Sequence, residues 1–182
     1  MKRLTVTFFI VFLFLITGCT RAPWVIKSTP PTRTISSEYY DITITPIGYR
    51  DGSGFYGFDL KITNKTNEDF ELIWDKTYYL LHGQTSGGFY FGGIFYREVN
   101  EHKQNDIIFS KQTFQNLISP SCLVYFYRGW SRKVFPNGEN GIYLTMLING
   151  KEIREKLTVD IFLGYDESQR YTTVWGKMLQ IN

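Results

Sequence analysis

The residue types that most often perform catalysis or bind metals are sparse in this chain of 182 residues. Its two histidines, His82 and His102, are far apart in sequence, and neither belongs to a ligand-spaced cluster such as His-x-x-x-His. His82 ends a predicted strand and His102 lies in a polar loop, so surface or turn roles are expected for both. We therefore predict no metal site and no cofactor.

Hydrolytic chemistry finds little support in the pattern of nucleophiles and carboxylates. The chain lacks a Gly-x-Ser-x-Gly elbow, and no Ser or Cys stands beside an evident base. Asp69, Glu71 and Asp75 form a group of carboxylates, but strand alternation places Glu71 on the solvated side. Paired-carboxylate catalysis requires a defined separation between two such groups. We predict that the protein is not an enzyme.

The N-terminal residues have the layout of an export signal. Lys2 and Arg3 form a short positive start, and an apolar run follows from Leu4 to Ile16. This run is shorter than the roughly 20 residues that a helix needs to cross a bilayer. A positive start, a short apolar run and small residues behind it are typical of a secretory signal peptide.

Ile16-Thr17-Gly18-Cys19 resembles the lipobox of bacterial lipoproteins, in which an aliphatic residue and two small ones precede a cysteine. The resemblance implies cleavage between Gly18 and Cys19, diacylglycerol on the Cys19 sulfur, and often a third acyl chain on the new N-terminus. Two or more acyl chains anchor a protein stably, whereas one gives marginal binding. Thr20 is not the Asp that resembles an inner-membrane retention signal in enterobacteria. We therefore expect a bacterial envelope location, in the outer membrane if the organism has two membranes.

The sequence indicates three parts: a signal peptide at 1–18, the lipidated cysteine with a flexible tether at 19–37, and one domain at 38–182. The tether prediction depends on a high content of Thr, Ser, Arg and Pro. Trp24-Val25-Ile26 is an apolar patch within it, which either docks on the domain or lies in the membrane interface. With Cys19 lipidated, Cys122 has no partner for an internal disulfide, and its apolar surroundings predict a buried thiol.

The overall charge is close to balanced. The chain has 20 Lys and Arg residues against 17 Asp and Glu residues, and two of the basic ones, Lys2 and Arg3, belong to the signal peptide. Because a basic stripe is the usual mark of a nucleic-acid binder, we predict no nucleic-acid partner. The membrane, through the lipid, and an envelope protein are the expected partners, and the sequence does not indicate an oligomeric state.

Apolar residues recur with a period of two, which predicts strands with one buried face. Polar turns separate the strands, and Asn149-Gly150 is a strong hairpin signal. The pattern predicts an all-β fold with one antiparallel sandwich. The residues predicted to be buried are Tyr40, Ile42, Ile44, Tyr56, Phe58, Leu60, Ile62, Phe70, Leu72, Trp74, Ile142, Leu144, Met146, Ile148, Leu157, Val159, Ile161 and Leu163.

The stretch from Asn64 to Gly83 is similar to a group of uncharacterised bacterial lipoproteins with an immunoglobulin-like sandwich. In that group an Asn-x-Thr turn leads to an aliphatic strand ending in Trp, followed by an aromatic strand and a turn with Gly. Leu117-Ile118-Ser119-Pro120 and the segment from Trp130 to Ile148 fit later parts of the pattern. The resemblance implies a fold and a location, but no reaction, since a fold alone does not set function.

Aromatic residues are the one positive signal for binding. Most aromatics in strands build the core, but an exposed cluster marks a contact surface. Our leading hypothesis is a non-catalytic protein-interaction module whose surface includes Phe89, Phe91, Phe95 and Tyr96. Gly92-Gly93 interrupts this run, which is either a fully covered strand or a binding surface. The alternative is a small-ligand or glycan site formed by Tyr127, Arg128 and Trp130.

Overall fold

Strands with one apolar face need a second sheet to bury that face, and this chain supplies one. A computed structural model describes residues 24–91 and 102–165, apart from the side chains of Trp24, Trp130 and Tyr165. The described part is an all-β antiparallel sandwich, as the sequence predicted, and Val25–Gly164 form one compact unit. No helix in the described part is long and apolar enough to cross a membrane.

The first sheet has five strands in the order β2-β3-β4-β10-β8. Its centre is the long β3–β4 pair, in which Ile42 lies opposite Ile62 and Ile44 opposite Leu60. The pairing shifts at Ile47 and Gly48, where the two strands reach one end of the sandwich. The strands are β2 (Arg33–Ser36), β3 (Tyr40–Gly48), β4 (Phe55–Asn64), β8 (Phe89–Phe91) and β10 (Thr113–Pro120).

The second sheet has seven strands, with five in the order β1-β14-β13-β5-β9. β6 also pairs with β13, nearer to its N-terminal end than β5 does, and β7 pairs with β6. The strands are β1 (Trp24–Thr29), β5 (Phe70–Leu72), β6 (Tyr78–Leu81), β7 (Gln84–Thr85), β9 (Asp106–Ile108), β13 (Gly138–Ile148) and β14 (Lys151–Tyr165). A separate hairpin joins β11 (Val124–Phe126) to β12 (Trp130–Arg132), and short 3-10 helices cover Trp74–Lys76 and Ser121–Leu123.

The core lies between the two sheets and consists of the residues that alternate along the long strands. Ile42, Phe58 and Leu60 of the first sheet belong to the same buried cluster as Ile142 and Leu157 of the second. The predicted inward faces are confirmed for every residue except Tyr56, which is half-buried, and Leu163, which is exposed. Leu163 lies near the end of β14, beyond the last residue of β13's register, so that the core no longer covers it.

The Asn149-Gly150 turn closes the β13–β14 hairpin as the sequence predicted. Ile148 pairs with Lys151, and both turn residues have positive φ, 50° for Asn149 and 74° for Gly150. Two central residues with positive φ define the type I′ turn, whose twist matches that of the flanking strands. The turn therefore sets the register of the longest strand pair.

The strands begin earlier in the chain than the sequence predicted. β1 and β2 lie within the region assigned to the flexible tether at 19–37, and the side chains of Ile26 and Ile35 pack against the core. Their apolar and β-branched side chains are suited to a sheet. The docked alternative for the Val25-Ile26 patch is therefore the one that the structure adopts. Residues 1–23 and 166–182, including the predicted signal peptide and Cys19, are outside the described part.

The environment of Tyr40 is expected to lower the free energy of unfolding as the pH becomes alkaline. Burial first, and then the hydrogen bond that its hydroxyl donates to Glu155 Oε1 at 2.5 Å, raise the pKa of Tyr40 to about 12. An unfolded tyrosine ionises near pH 10, so Tyr40 stabilises the fold fully below that pH and loses its contribution as the pH rises to about 12. We expect the urea midpoint to fall across this interval, and Tyr40→Phe to make the fall less steep. Equal slopes for the two proteins would contradict this.

Candidate functional site

The aromatic run Phe89–Tyr96 that the sequence singled out begins with strand β8 of the five-stranded sheet. Phe89 of β8 is only 1% exposed and its ring lies 6.4 Å from that of Tyr79, so it belongs to the core. Phe91 is half-buried with its ring 4.3 Å from that of Trp74. For these two residues the covered-strand alternative describes the structure, and Phe89 is corrected from a surface residue to a core residue. Phe95 and Tyr96 are outside the described residues.

A cluster of exposed aromatics lies instead on the β11–β12 hairpin. Phe126 is 65% exposed and Tyr127 is 68% exposed, which is unusual for such large apolar side chains. Tyr125 is exposed on the opposite face of the same strand. The chain reverses at Tyr127–Gly129, where Arg128 and Gly129 have φ values of 53° and 145°, and the Tyr127 N–H donates to Gly129 O.

Cationic side chains accompany these rings. The Arg128 guanidinium lies 5.6 Å from the centre of the Tyr127 ring, and the Lys133 ammonium lies 5.8 Å from that of Tyr125. A cation over an aromatic face is held by the quadrupole of the ring. We call the set of Tyr125, Phe126, Tyr127, Arg128 and Lys133 the hairpin surface.

Arg132 connects the hairpin to the outer face of the five-stranded sheet. Its guanidinium lies 5.5 Å from the centre of the Tyr56 ring and 5.8 Å from that of Tyr90. Tyr49 packs on Tyr56 with ring centres 4.6 Å apart and donates its hydroxyl hydrogen to Arg132 O. Three tyrosines, from the β3–β4 turn, β4 and β8, therefore contact one arginine at the base of the hairpin.

Backbone hydrogen bonds fix the hairpin in place. Lys133 N–H donates to Leu123 O and Phe135 N–H donates to Phe55 O, at 2.8 and 2.7 Å. The Phe135 ring is buried between Phe58 and Tyr79, 4.7 and 6.0 Å away. Ser121 N–H, before β11, also donates to Gly88 O at 2.9 Å. The chain is therefore bonded to the sandwich both before and after the hairpin, which holds the exposed aromatics on a fixed base.

The sequence predicted only part of this arrangement. It singled out Tyr127 and Arg128, which the structure places side by side at the tip, and Trp130, whose backbone pairs with Phe126 but whose side chain is outside the described part. It missed the base of the hairpin, because Tyr49, Tyr56, Tyr90 and Arg132 come from four separate segments. Local aromatic density was the available signal, and it does not show which distant segments meet.

A second exposed apolar region lies at an edge of the seven-stranded sheet. β9 is the terminal strand there, and no other described strand pairs with its outer side. Ile107 on this strand is 55% exposed, and Phe109, which follows it, is 59% exposed. An uncovered sheet edge with apolar side chains is a template for pairing with another chain.

The carboxylates that could have suggested catalysis hold this edge in position. Asp69 accepts a hydrogen bond from Ser110 N–H, Glu71 accepts one from the Asn105 side chain, and Asp75 accepts one from Lys103 N–H. Asp75 also bonds to the His102 ring. Although partial burial opposes it, the bonds from Lys103 and His102 lower the pKa of Asp75. These carboxylates are spread along one strand edge, and their hydrogen bonds hold the residues on either side of β9 against it.

The remaining reactive residues of the described part form no metal-binding cluster. Within the described residues no three His, Cys, Asp or Glu side chains lie close enough to hold a metal ion. Cys122 is exposed, which corrects the prediction of a buried thiol. It lies in the 3-10 helix Ser121–Leu123, which directly precedes the apolar strand β11, and the Ser86 hydroxyl is 3.8 Å from its sulfur.

Comparisons with known proteins add no relative to this picture. No protein-family model, no curated protein and no solved structure matches the chain. The similarity to envelope lipoproteins and to their immunoglobulin-like domain therefore stays a prediction from the sequence.

Proposed function

We propose that this chain is a membrane-anchored cell-envelope lipoprotein whose β-sandwich is a non-catalytic module that binds another protein. The export signal and the Ile16–Cys19 motif support the anchor, with cleavage before Cys19 and an outer-membrane location where two membranes exist. The hydrogen bonds from the 102–110 segment to Asp69, Glu71 and Asp75 support the non-catalytic part of the proposal, because they give these carboxylates a structural role.

The outer edge of β9 is the observation that carries the protein-binding proposal. Extended peptides add to sheet edges through main-chain hydrogen bonds, while side-chain pockets give specificity. Ile107 and Phe109 supply exposed apolar side chains at such an edge, and Trp74 supports it from below by donating its indole N–H to Asp106 at 2.7 Å. A partner strand would bury both side chains and satisfy the outer backbone groups of β9.

The alternative small-ligand or glycan role for Tyr127, Arg128 and Trp130 has weaker support. Ligand sites are usually concave and bury most of the ligand, whereas Tyr127 and Arg128 project from the tip of a hairpin. A shallow cavity in the described part lies elsewhere, between Tyr39, Tyr40 and Ile153.

In-cell photocrosslinking tests the proposal. A photoreactive amino acid at Ile107 or Phe109 is expected to capture a defined protein. The same residue at Leu117, an exposed apolar position on the other sheet, serves as the matched control and is expected to capture none. Ile107→Lys, which places a charge on the edge, is expected to abolish capture at 109 while leaving the thermal unfolding temperature unchanged. Capture of the same products at all three positions, or of none at 107 and 109, would exclude a partner at this edge.

A further inference from the structure

The hairpin surface has a one-sided charge as well as exposed aromatics. Between Gln112 and Gly138 the sequence contains Arg128, Arg132 and Lys133 but no Asp or Glu. The adjoining turn adds one residue of each sign, Arg50 and Asp51. An exposed tip with large aromatic rings and only positive charge matches the interfacial zone of a bilayer that contains anionic lipid. There Tyr and Trp are enriched at the headgroup level, and each nearby Lys or Arg adds attraction.

We propose that the hairpin surface docks on the headgroup region of an anionic bilayer, in the same membrane that holds the lipid on Cys19. This inference rests on the anchor in the proposed function, but it concerns a different surface from the β9 edge. Phe126 and Tyr127 would enter the interface, and Arg128 and Lys133 would lie among the lipid phosphates.

The chain enters the sandwich at the end that carries the hairpin. Thr32, just before β2, bonds to Thr45 in the body of β3. Ile26, earlier in the chain, lies beside Gly54, just before β4 begins at that end. A Cβ atom on Gly54 would stand 3.3 Å from Ile26 Cδ1 and 2.9 Å from Val134 Cβ. Val134 follows Lys133 of the hairpin surface, so β1 and the base of the hairpin are neighbours.

The connection from the lipid to the sandwich is short. Val25 follows Cys19 by six residues, and a fully extended chain covers at most about 3.6 Å per residue, or about 22 Å in total. β13 alone, with 11 residues, is about 36 Å long. Because the connection is shorter than the sandwich, the hairpin end faces the bilayer whenever the sandwich stands upright on it.

A depth measurement on the full lipidated protein tests this docking. An environment-sensitive fluorophore is attached at Tyr127→Cys in a Cys122→Ser background, and at Asn67→Cys in the turn after β4 as the matched control. The labelled protein is incorporated through its lipid into vesicles of phosphatidylcholine, either alone or mixed with the anionic lipid phosphatidylglycerol. We expect a blue-shifted emission and protection from an aqueous quencher at 127 on anionic vesicles, and neither at 67.

Removal of the charge tests the electrostatic part. Arg128→Gln and Lys133→Gln are each expected to lower the ratio of docked to undocked hairpin by about fivefold. This factor corresponds to the roughly 1 kcal/mol of attraction between one cationic side chain and an anionic membrane surface. Added salt is expected to do the same, since surface attraction is screened. Gln115→Ala, on the outer face of β10, is the control and is expected to leave the ratio unchanged.

The outcomes separate this inference from the proposed function. Protein that floats with the vesicles but leaves the fluorophore at 127 as accessible as that at 67 retains its anchor and overturns the docking. Capture of a protein rather than lipid by a photoreactive residue at 127 overturns it as well. Protein that does not float with the vesicles lacks the anchor, which overturns the lipoprotein proposal and the docking that depends on it. None of these results changes the crosslinking test of the β9 edge.

Discussion

Replacement of Gly141 by alanine is expected to lower the free energy of unfolding by about 3 kcal/mol or more. Gly141 is buried in β13 opposite Thr158 of β14. A Cβ atom there would lie 2.2 Å from Leu157 O and 2.9 Å from the Thr158 α-carbon, both of which are backbone atoms. Relief requires the two central strands of the seven-stranded sheet to separate. Urea unfolding of the two proteins, followed by circular dichroism, measures the difference.

Gly88→Ala provides the matched control. Its backbone does not require positive φ, and the atoms nearest to an added Cβ, Lys103 Nζ and Thr77 O, are 4.0 Å away. We expect a change within about 0.5 kcal/mol, as for most substitutions that strain nothing. If Gly141→Ala changed the free energy of unfolding as little as this control, β13 and β14 would not approach each other as closely at Gly141 as described.

The second large effect is expected for Trp74→Ala, at about 3–5 kcal/mol, the usual cost of removing a buried tryptophan. Trp74 is 2% exposed in the 3-10 helix after β5, and its ring lies 4.3 Å from Phe91 and 6.4 Å from Phe114 in the other sheet. The substitution would leave a cavity between the sheets and an Asp106 carboxylate without its indole donor. A melting temperature lower by about 10 °C or more is expected for a domain of this size.

Trp74→Phe separates the two contributions. It keeps one aromatic ring between the sheets but removes the hydrogen bond to Asp106 and part of the buried ring volume. We therefore expect a loss smaller than that for Trp74→Ala, about 1–3 kcal/mol. Equal losses for Trp74→Phe and Trp74→Ala would show that the hydrogen bond, and not the ring contacts, dominates at this position. That result would contradict our account of Trp74 as a packing residue.

The buried faces of the long strands could be predicted because their signal is local. Ile42 and Ile44, or Leu144 and Met146, alternate with polar neighbours, and that alternation is present whichever strand lies beside them. The Asn149-Gly150 turn is equally local, because both residues favour the positive φ that the turn needs. The antiparallel sandwich follows from these elements. Its proposed immunoglobulin-like arrangement stays a prediction.

The features that could not be predicted depend on partners distant in sequence. β1 is a short apolar patch followed by polar residues, within a region rich in residues typical of linkers, and it becomes a strand because β14 extends far enough to pair with it. Arg132 gives no sign in the sequence that it will lie against Tyr56 and Tyr90. For Cys122, one turn of 3-10 helix changes which way the side chain points, and alternation cannot detect such a turn.

The connectivity of the seven-stranded sheet has a consequence for the order in which the chain can fold as it is synthesised. β1, β5 and β6 each pair with β13 or β14, which lie at the C-terminal end of the described chain. A chain that emerges from the ribosome N-terminus first therefore presents these strands before their neighbours have arrived. The β3–β4 pair, by contrast, is complete within a few dozen residues. Until Lys151–Tyr165 emerges, the first half of the sandwich has its apolar face uncovered, which is the stage at which the chain is most prone to aggregate.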